Sequence, residues 1–228
     1  MGRLIVMEGL DGSGKATQTA LLCDALQARG VPLRHISFPD YAKPSSALVK
    51  LYLEGAFGKD PASVNPYAAA SFYAVDRFAS YQQFWKADYV SGMTVVADRY
   101  TTSNLVYQLP KLPRGEWDGF CAWLLDYEYA KCGLPKPDLT LYLDMPPAVS
   151  RRLMEKRYGG DIGQEDIHEQ SAAYQTACRE AALYAAHSQG WHIVRCADGE
   201  RPRTPGAVHT EIMKVLAACF PQALSSHQ

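Results

Sequence analysis
The run Glu8-Gly9-Leu10-Asp11-Gly12-Ser13-Gly14-Lys15-Ala16-Thr17 has the residue types and spacing of a loop that holds polyphosphate. Gly9 and Gly14 let backbone N–H groups turn inward on phosphate oxygens, and Lys15 reaches the outermost of them. A helix opening at this point adds its positive end. The chemistry is binding of a nucleoside triphosphate, with Gly9, Leu10, Asp11, Gly12, Ser13, Gly14, Lys15, Ala16 and Thr17 as its cradle. Ala16 stands where a Ser or Thr hydroxyl normally coordinates Mg²⁺, and the nearest hydroxyl, Thr17, comes one residue late. Mg²⁺ must then be held mostly by other groups. Asp11 lies too close to the phosphates to be an idle charge: it takes part in Mg²⁺ binding or accepts a hydrogen bond from substrate.

Asp98-Arg99 closes an apolar run. At a strand end beside the loop, this carboxylate and guanidinium can serve the water of Mg²⁺ and phosphate oxygens, or they can form a structural pair. Arg77 follows Tyr73 by four residues, so a helix puts ring and guanidinium on one face. Such a pair can stack on a flat base and bond its edge; it can equally be a core aromatic with a snorkelling arginine. Lys156-Arg157-Tyr158-Gly159-Gly160-Asp161-Ile162-Gly163 breaks a helical pattern with glycines and cations. That is the composition of a basic flap over phosphates, and also of a plain surface loop.

These groups need a frame that brings loop ends together. Apolar runs at Leu4 to Glu8, Leu33 to Phe38, Thr94 to Asp98, Leu139 to Leu143 and His192 to Cys196 read as buried parallel strands with helical stretches between them. Gly30, Gly92, Gly133 and Gly190 stand where the preceding helices end. The alternation predicts an α/β fold of the P-loop NTPase kind: a doubly wound five-stranded parallel sheet, with helices on both faces and right-handed crossovers. Ligands of such sheets bind at the carboxyl ends of the strands. There the chain delivers the phosphate loop, Phe38-Pro39-Asp40-Tyr41 and Asp98-Arg99-Tyr100. The segment from Asn65 to Gly92, rich in Tyr, Phe and Trp, reads as one helix with a broad aromatic face.

The 228 residues suffice for a single domain over 1–228 with a lid at about 156–167. A net charge of −1 leaves no basic field for a nucleic-acid polymer or an anionic membrane. The stretch before the phosphate loop is too short for a signal peptide, and no apolar run has the length of a membrane span. The six cysteines are scattered without a C-x-x-C pair, which points to reduced thiols rather than to zinc or disulfides. The expected localisation is cytoplasmic.

With these markers in order, the sequence resembles the thymidylate kinases, P-loop enzymes that transfer the γ-phosphate of ATP to dTMP. The likeness runs from Gly2 to about Phe220. Its carriers are the phosphate loop, Phe38-Pro39, Tyr73 to Arg77, Asp98-Arg99-Tyr100 with Ser103 and Tyr107-Gln108, and Leu134-Pro135-Lys136-Pro137-Asp138. The resemblance implies Mg²⁺-dependent formation of dTDP and ADP by a homodimer packed through helices such as that over 65–92. It places Asp11 at the sugar 3′-hydroxyl and the metal region, Tyr41 and Arg99 at the acceptor phosphate with Phe38 in the same site, and Arg77 at the thymine edge. Tyr73 would lie against the base, Ser103 and Asn104 near it, and Tyr107 in the space a ribose 2′-hydroxyl would need. Lys15, Asp98, Arg99 and Arg157 would be catalytic, Arg157 as the transition-state clamp. Asp11, Asp98 and Glu169 would attend the metal.

Three departures stand out. Tyr73 replaces the usual Phe, Ala16 replaces a hydroxyl residue, and the lid offers only Arg157 and Lys156 where relatives without a loop arginine supply several. They leave two alternatives: a related P-loop kinase for another deoxynucleotide or deoxynucleoside, and a weakened relative that only binds nucleotide.

Overall fold
Leu4–Gly9 (β1) is buried at every residue, and its side chains alternate between two apolar layers. Leu4 and Val6 pack with Trp85, Val95, Ala97 and Tyr100 on one side; Ile5 and Met7 pack with Leu22, Leu26, Leu141 and Ile212 on the other. A strand apolar on both faces demands helices on both. The structure, a computed structural model, describes residues 1–158 and 172–221, the side chains of 156–158 excepted. Residues 159–167 of the expected lid, Glu169 and the Arg157 side chain lie outside that description.

β1 sits at the centre of a sheet ordered β2-β3-β1-β4-β5, with β2 at Leu33–Ser37, β3 at Thr94–Asp98, β4 at Leu139–Asp144 and β5 at His192–Arg195. All four pairings are parallel. These are the five strands legible in the sequence, with no end displaced by more than one residue. Helices α1 (Lys15–Gln27) and α9 (Pro205–Cys219) cover one face; α3 (Pro66–Ser80), α5 (Thr102–Gln108) and α8 (Ala172–Gln189) cover the other. The remaining helices are α2 (Ala47–Leu53), α4 (Lys86–Val90), α6 (Trp117–Leu125) and α7 (Pro147–Tyr158), and a small antiparallel pair joins β6 (Ala197–Asp198) to β7 (Arg201–Pro202). Gly30, Gly92, Gly133 and Gly190 take φ of 71°, 102°, 68° and 70°, as helix-ending glycines do.

The stretch over 65–92 is not one helix. Asn65 accepts a hydrogen bond from the Tyr67 N–H and Pro66 opens α3, but Tyr81–Trp85 forms a π-helical turn before α4 resumes. The extra residue in that turn rotates α4 about the helix axis relative to α3. Tyr81, Trp85 and Tyr89 therefore sink into the layer over β1 and β3, while Tyr73 on α3 turns toward the strand ends and Tyr67, Phe78 and Phe84 stay partly exposed. The aromatic excess thus serves three surfaces.

Among the described residues no helix is long and apolar enough to cross a membrane, the cysteines are free thiols, and no group of three or more His, Cys, Asp or Glu could hold a metal ion.

Candidate active site
The register that pairs Met7 with Asp98 makes the loop after β1 and the chain after β3 leave the sheet side by side. Gly14, the residue before α1, has φ 92°, a left-handed conformation that a side chain would strain. A Cβ on Gly9 would lie 2.6 Å from Ser13 Oγ and 3.1 Å from the Leu143 carbonyl oxygen. The loop is therefore folded tightly on β4, and Lys15 closes it by donating from Nζ to the Leu10 carbonyl at 3.0 Å.

Arg99 is the hub. Its amide N–H donates to the Met7 carbonyl at 3.0 Å, and its φ is 66°, a left-handed conformation that is strained in a non-glycine residue. That backbone swings the guanidinium back over the phosphate loop. Nη2 donates to Asp11 Oδ1 at 2.5 Å, Nη1 to the Gly9 carbonyl at 3.3 Å, and the cation lies 5.2 Å from the centroid of the Tyr107 ring. Tyr107 Oη donates to Asp11 Oδ2 at 3.1 Å, and Lys15 Nζ stands 3.6 Å from Asp11 Oδ1. Burial by itself would push the Asp11 carboxyl up; the Arg99 and Lys15 cations and the bonds from Tyr107 and Arg99 outweigh it and hold the carboxyl well below the usual range. Burial and the neighbouring Arg99 cation pull the Lys15 ammonium down, against Asp11, Asp98 and Glu8. Burial likewise opposes the charge on Arg99, but Asp11, Tyr107, Glu8 and Asp98 raise its pKa well above the ordinary value.

Beneath this cluster lie two fully buried carboxylates. Glu8 accepts from the Gly9 N–H at 2.8 Å, Thr102 Oγ1 at 2.8 Å and Ser103 Oγ at 2.7 Å, with Arg99 Nη1 at 3.5 Å. Glu128, in the π-helical turn after α6, accepts from Arg77 Nε at 2.6 Å and Nη2 at 2.5 Å, from Thr101 Oγ1 at 2.9 Å and from Asn104 Nδ2 at 3.0 Å. Residues 101–104 at the head of α5 thus divide between the two: the outer pair Thr101 and Asn104 to Glu128, the inner pair Thr102 and Ser103 to Glu8. Asp76 on α3, 1% exposed, accepts from the Asp40 N–H at 2.9 Å and Ser45 Oγ at 2.6 Å and so fixes the loop that carries Tyr41.

A cavity of about 460 Å³ opens over these residues at the carboxyl end of the sheet. Its lining takes Asp11, Gly12, Gly14, Lys15, Ala16 and Thr17 from the loop after β1 and the start of α1, Asp98 and Arg99 from the end of β3, and Phe38, Tyr41, Tyr73, Arg77, Ser103, Asn104 and Tyr107 from the segments around them. Of the loop residues expected to touch phosphate, Gly9, Leu10 and Ser13 do not line it. Leu10 is 1% exposed and packs on Val106, Tyr107 and Tyr142, its carbonyl alone serving Lys15. Arg77 lines the cavity, yet it is 1% exposed and commits two of its nitrogens to Glu128, which leaves Nη1 at a long 3.4 Å from the Tyr100 carbonyl.

Three polar groups here escaped sequence reasoning. Glu8 was visible within the loop motif, but a residue pointing away from the phosphates had no role there. Glu128 had no local signal at all. Gln108 stood in the Tyr107-Gln108 marker. It is fully buried, borders the cavity, and its amide oxygen and nitrogen both lack a hydrogen-bond partner among the described residues. Such an amide presents one donor edge and one acceptor edge to whatever enters.

The family model described as thymidylate kinase matches residues 7–210. The chain is 34% identical over 200 residues to the thymidylate kinase of Mycobacterium tuberculosis, covering 82% of this chain and 87% of that one. It is 27% identical over 213 residues to the thymidylate kinase of Plasmodium falciparum, covering 93% and 89%. The solved thymidylate kinase of Candida albicans superposes with a TM-score of 0.68 at 24% identity over 95% of this chain and 92% of that one, a likeness of fold. On the strength of the family match and the relatives that span most of its length, the chain belongs to the thymidylate kinase family, the P-loop enzymes that phosphorylate dTMP at the expense of ATP.

Proposed function
We propose that the cavity is the place of this transfer, with the donor over Lys15 and the α1 N-terminus and the acceptor between Tyr73 and Arg99. The observation that carries the reading is the convergence of Lys15 and Arg99 on Asp11, where the phosphate loop meets the acceptor end of one cavity. Two phosphates repel each other, and two fixed cations at the junction offset that repulsion as the groups approach in line. Arg99 holds the acceptor phosphate together with Tyr41, and Phe38 walls the site. Tyr107, pinned by Asp11, occupies the space beside the sugar and disfavours a 2′-hydroxyl. Asp11 takes the 3′-hydroxyl.

For the base, Arg77 contributes the nitrogen that Glu128 leaves free, and Gln108 supplies a donor and an acceptor to a pyrimidine edge that itself carries both. Ser103 and Asn104 act through the buried carboxylates they bind, and Tyr73 stacks.

The donor set fits Mg²⁺ carried in with ATP. Asp98 lines the cavity with no side-chain hydrogen bond among the described residues, and one carboxylate with substrate phosphates and water is what this ion prefers. Asp98 takes first place, Asp11 second because two hydrogen-bond donors and the Lys15 ammonium already engage its oxygens, and Glu169 would join from 159–171. Bound there, the ion would neutralise charge on the transferred phosphoryl group. Arg157 closes over the same group from a lid at 156–167 of a single domain.

The enzyme works in the cytoplasm without nucleic-acid or membrane partners, as a homodimer. Val75, Phe78 and Val90, 49%, 41% and 56% exposed along α3 and α4, support that pairing.

The test is ADP formation with ATP and Mg²⁺ against dTMP, dUMP, dCMP, dGMP, UMP and thymidine, with Arg99→Ala as control. Turnover on dTMP should fall about 10²- to 10³-fold in the control. Preference for thymidine, or a control as active as the parent, would move the reading to another acceptor. Silence across the panel with ATP still bound would leave a binding-only relative.

A further inference from the structure
Behind the acceptor end of the cavity, the 3₁₀ turn Leu109–Lys111 carries a half-buried lysine. Lys111 Nζ donates to Tyr52 Oη at 2.7 Å and stands 3.4 Å from the Val64 carbonyl; among the described residues no carboxylate forms an ion pair with it. Tyr52, fully buried on α2, meets the ring of Tyr73 edge-on, with centroids 6.4 Å apart at 89°. The next residue on α2, Leu53, lines the cavity.

We propose that Lys111 is a positioning residue for the acceptor base: it latches α2 to the turn after α5 and through Tyr52 sets the ring of Tyr73. The proposal deepens the reading of Tyr73 as the base-stacking wall and rests on it. An ammonium held by one phenol and one carbonyl is poorly compensated, and burial pulls Lys111 down to about 7 against the opposing pull of Cys178 and Asp60. The titratable groups facing it are Tyr52 from α2, Asp60 ahead of the 3₁₀ turn that precedes Val64, and Cys178 from α8, with Tyr73 of α3 behind Tyr52 and Tyr174 of α8 near both tyrosines. Among them Asp60 is the one carboxylate, and it is exposed. Below neutrality the charged lysine grips the Tyr52 oxygen. Above it the bond weakens, α2 loosens, and the acceptor KM rises.

The experiment is KM and kcat for dTMP from pH 6 to pH 9 in the parent, Lys111→Arg, Lys111→Met, Tyr52→Phe and Tyr73→Ala. Taking the ratio of parent to Lys111→Arg cancels ionisation of the substrates, because arginine stays charged throughout. That ratio of KM values should climb about five- to tenfold with a midpoint near pH 7, whereas for Lys111→Met and Tyr52→Phe the same ratio to Lys111→Arg should be high and constant across the range, with kcat at saturation retained. A flat ratio, or a Tyr52→Phe variant that keeps the pH response, overturns the proposal, and both readouts survive if Lys111→Met does not fold. Tyr73→Ala separates the two readings: an unchanged KM there refutes the acceptor site itself, while a raised KM beside a normal Lys111→Met refutes only the latch.

Discussion
Removing the Glu128 carboxylate should show how much of the acceptor site rests on one buried ion pair. Arg77 and Glu128 are 1% and 0% exposed, and the contact is bidentate. Glu128→Ala leaves a guanidinium uncompensated in the core and takes the acceptor from Thr101 and Asn104 as well. Breaking a buried pair from one side costs about 3–5 kcal/mol. With a urea m-value of about 2–3 kcal/mol/M, the unfolding midpoint should fall by about 1–2.5 M. Glu128→Gln, which keeps an acceptor for Thr101 and Asn104, should fall less.

The informative comparison is the double variant Arg77→Met/Glu128→Leu. It removes both charges and should regain most of the lost stability, yet its KM for dTMP should stay raised because the base has lost a donor. Equilibrium urea unfolding and steady-state kinetics on the same preparations measure both. A midpoint shift below about 0.3 M in Glu128→Ala, or a double variant with the parent KM, would refute the reasoning.

Gln108→Met replaces two unpartnered buried polar atoms with an apolar side chain of similar length, so its thermal or urea stability should hold or rise while the KM for dTMP rises about tenfold. If stability falls and KM is unchanged, the amide has a structural partner instead. Asp11 gives a pH signature in stability. Its carboxyl is held below its unfolded value, so its contribution is complete above about pH 4 and is lost as the pH falls through the folded value. The stability difference between the parent and Asp11→Asn should therefore be constant from pH 5 to pH 8 and shrink below about pH 4; a difference that persists undiminished to pH 2 would contradict it.

The parts of this site legible in the sequence are those whose signal is contiguous. The phosphate loop, the apolar strands and the Asp98-Arg99 step each announce themselves within a few residues, and the parallel register then sets them side by side. Glu128 could not be read this way. Its partner Arg77 lies 51 residues earlier, and one of two acids alternating with tyrosines at 126–129 has nothing to mark it as the buried one. The π-helical turn at Tyr81–Trp85 was hidden for a related reason, since a one-residue slip leaves an aromatic-rich run looking like a continuous helix. The left-handed backbone of Arg99 is likewise invisible, because nothing about an arginine asks for φ 66°; only the hold of Asp11 and the Gly9 carbonyl on its guanidinium does. Burial also altered what Arg77 can offer, since the pair Tyr73 and Arg77 reads the same whether the cation is free or bound beneath the floor.

The divided grip of Thr101, Thr102, Ser103 and Asn104 on Glu8 and Glu128 has a consequence for how this pocket could change over time. One short helical turn serves both Glu8, which Arg99 meets, and Glu128, which Arg77 grips. A substitution that retunes the surroundings of Glu128 must therefore be accommodated around Glu8, and paired changes across the two should combine non-additively. A lineage, or a designer, seeking a new acceptor would find single steps at residues 101–104 closed, and would reach it through the cavity's other wall, where Tyr73 and Leu53 stand clear of both carboxylates.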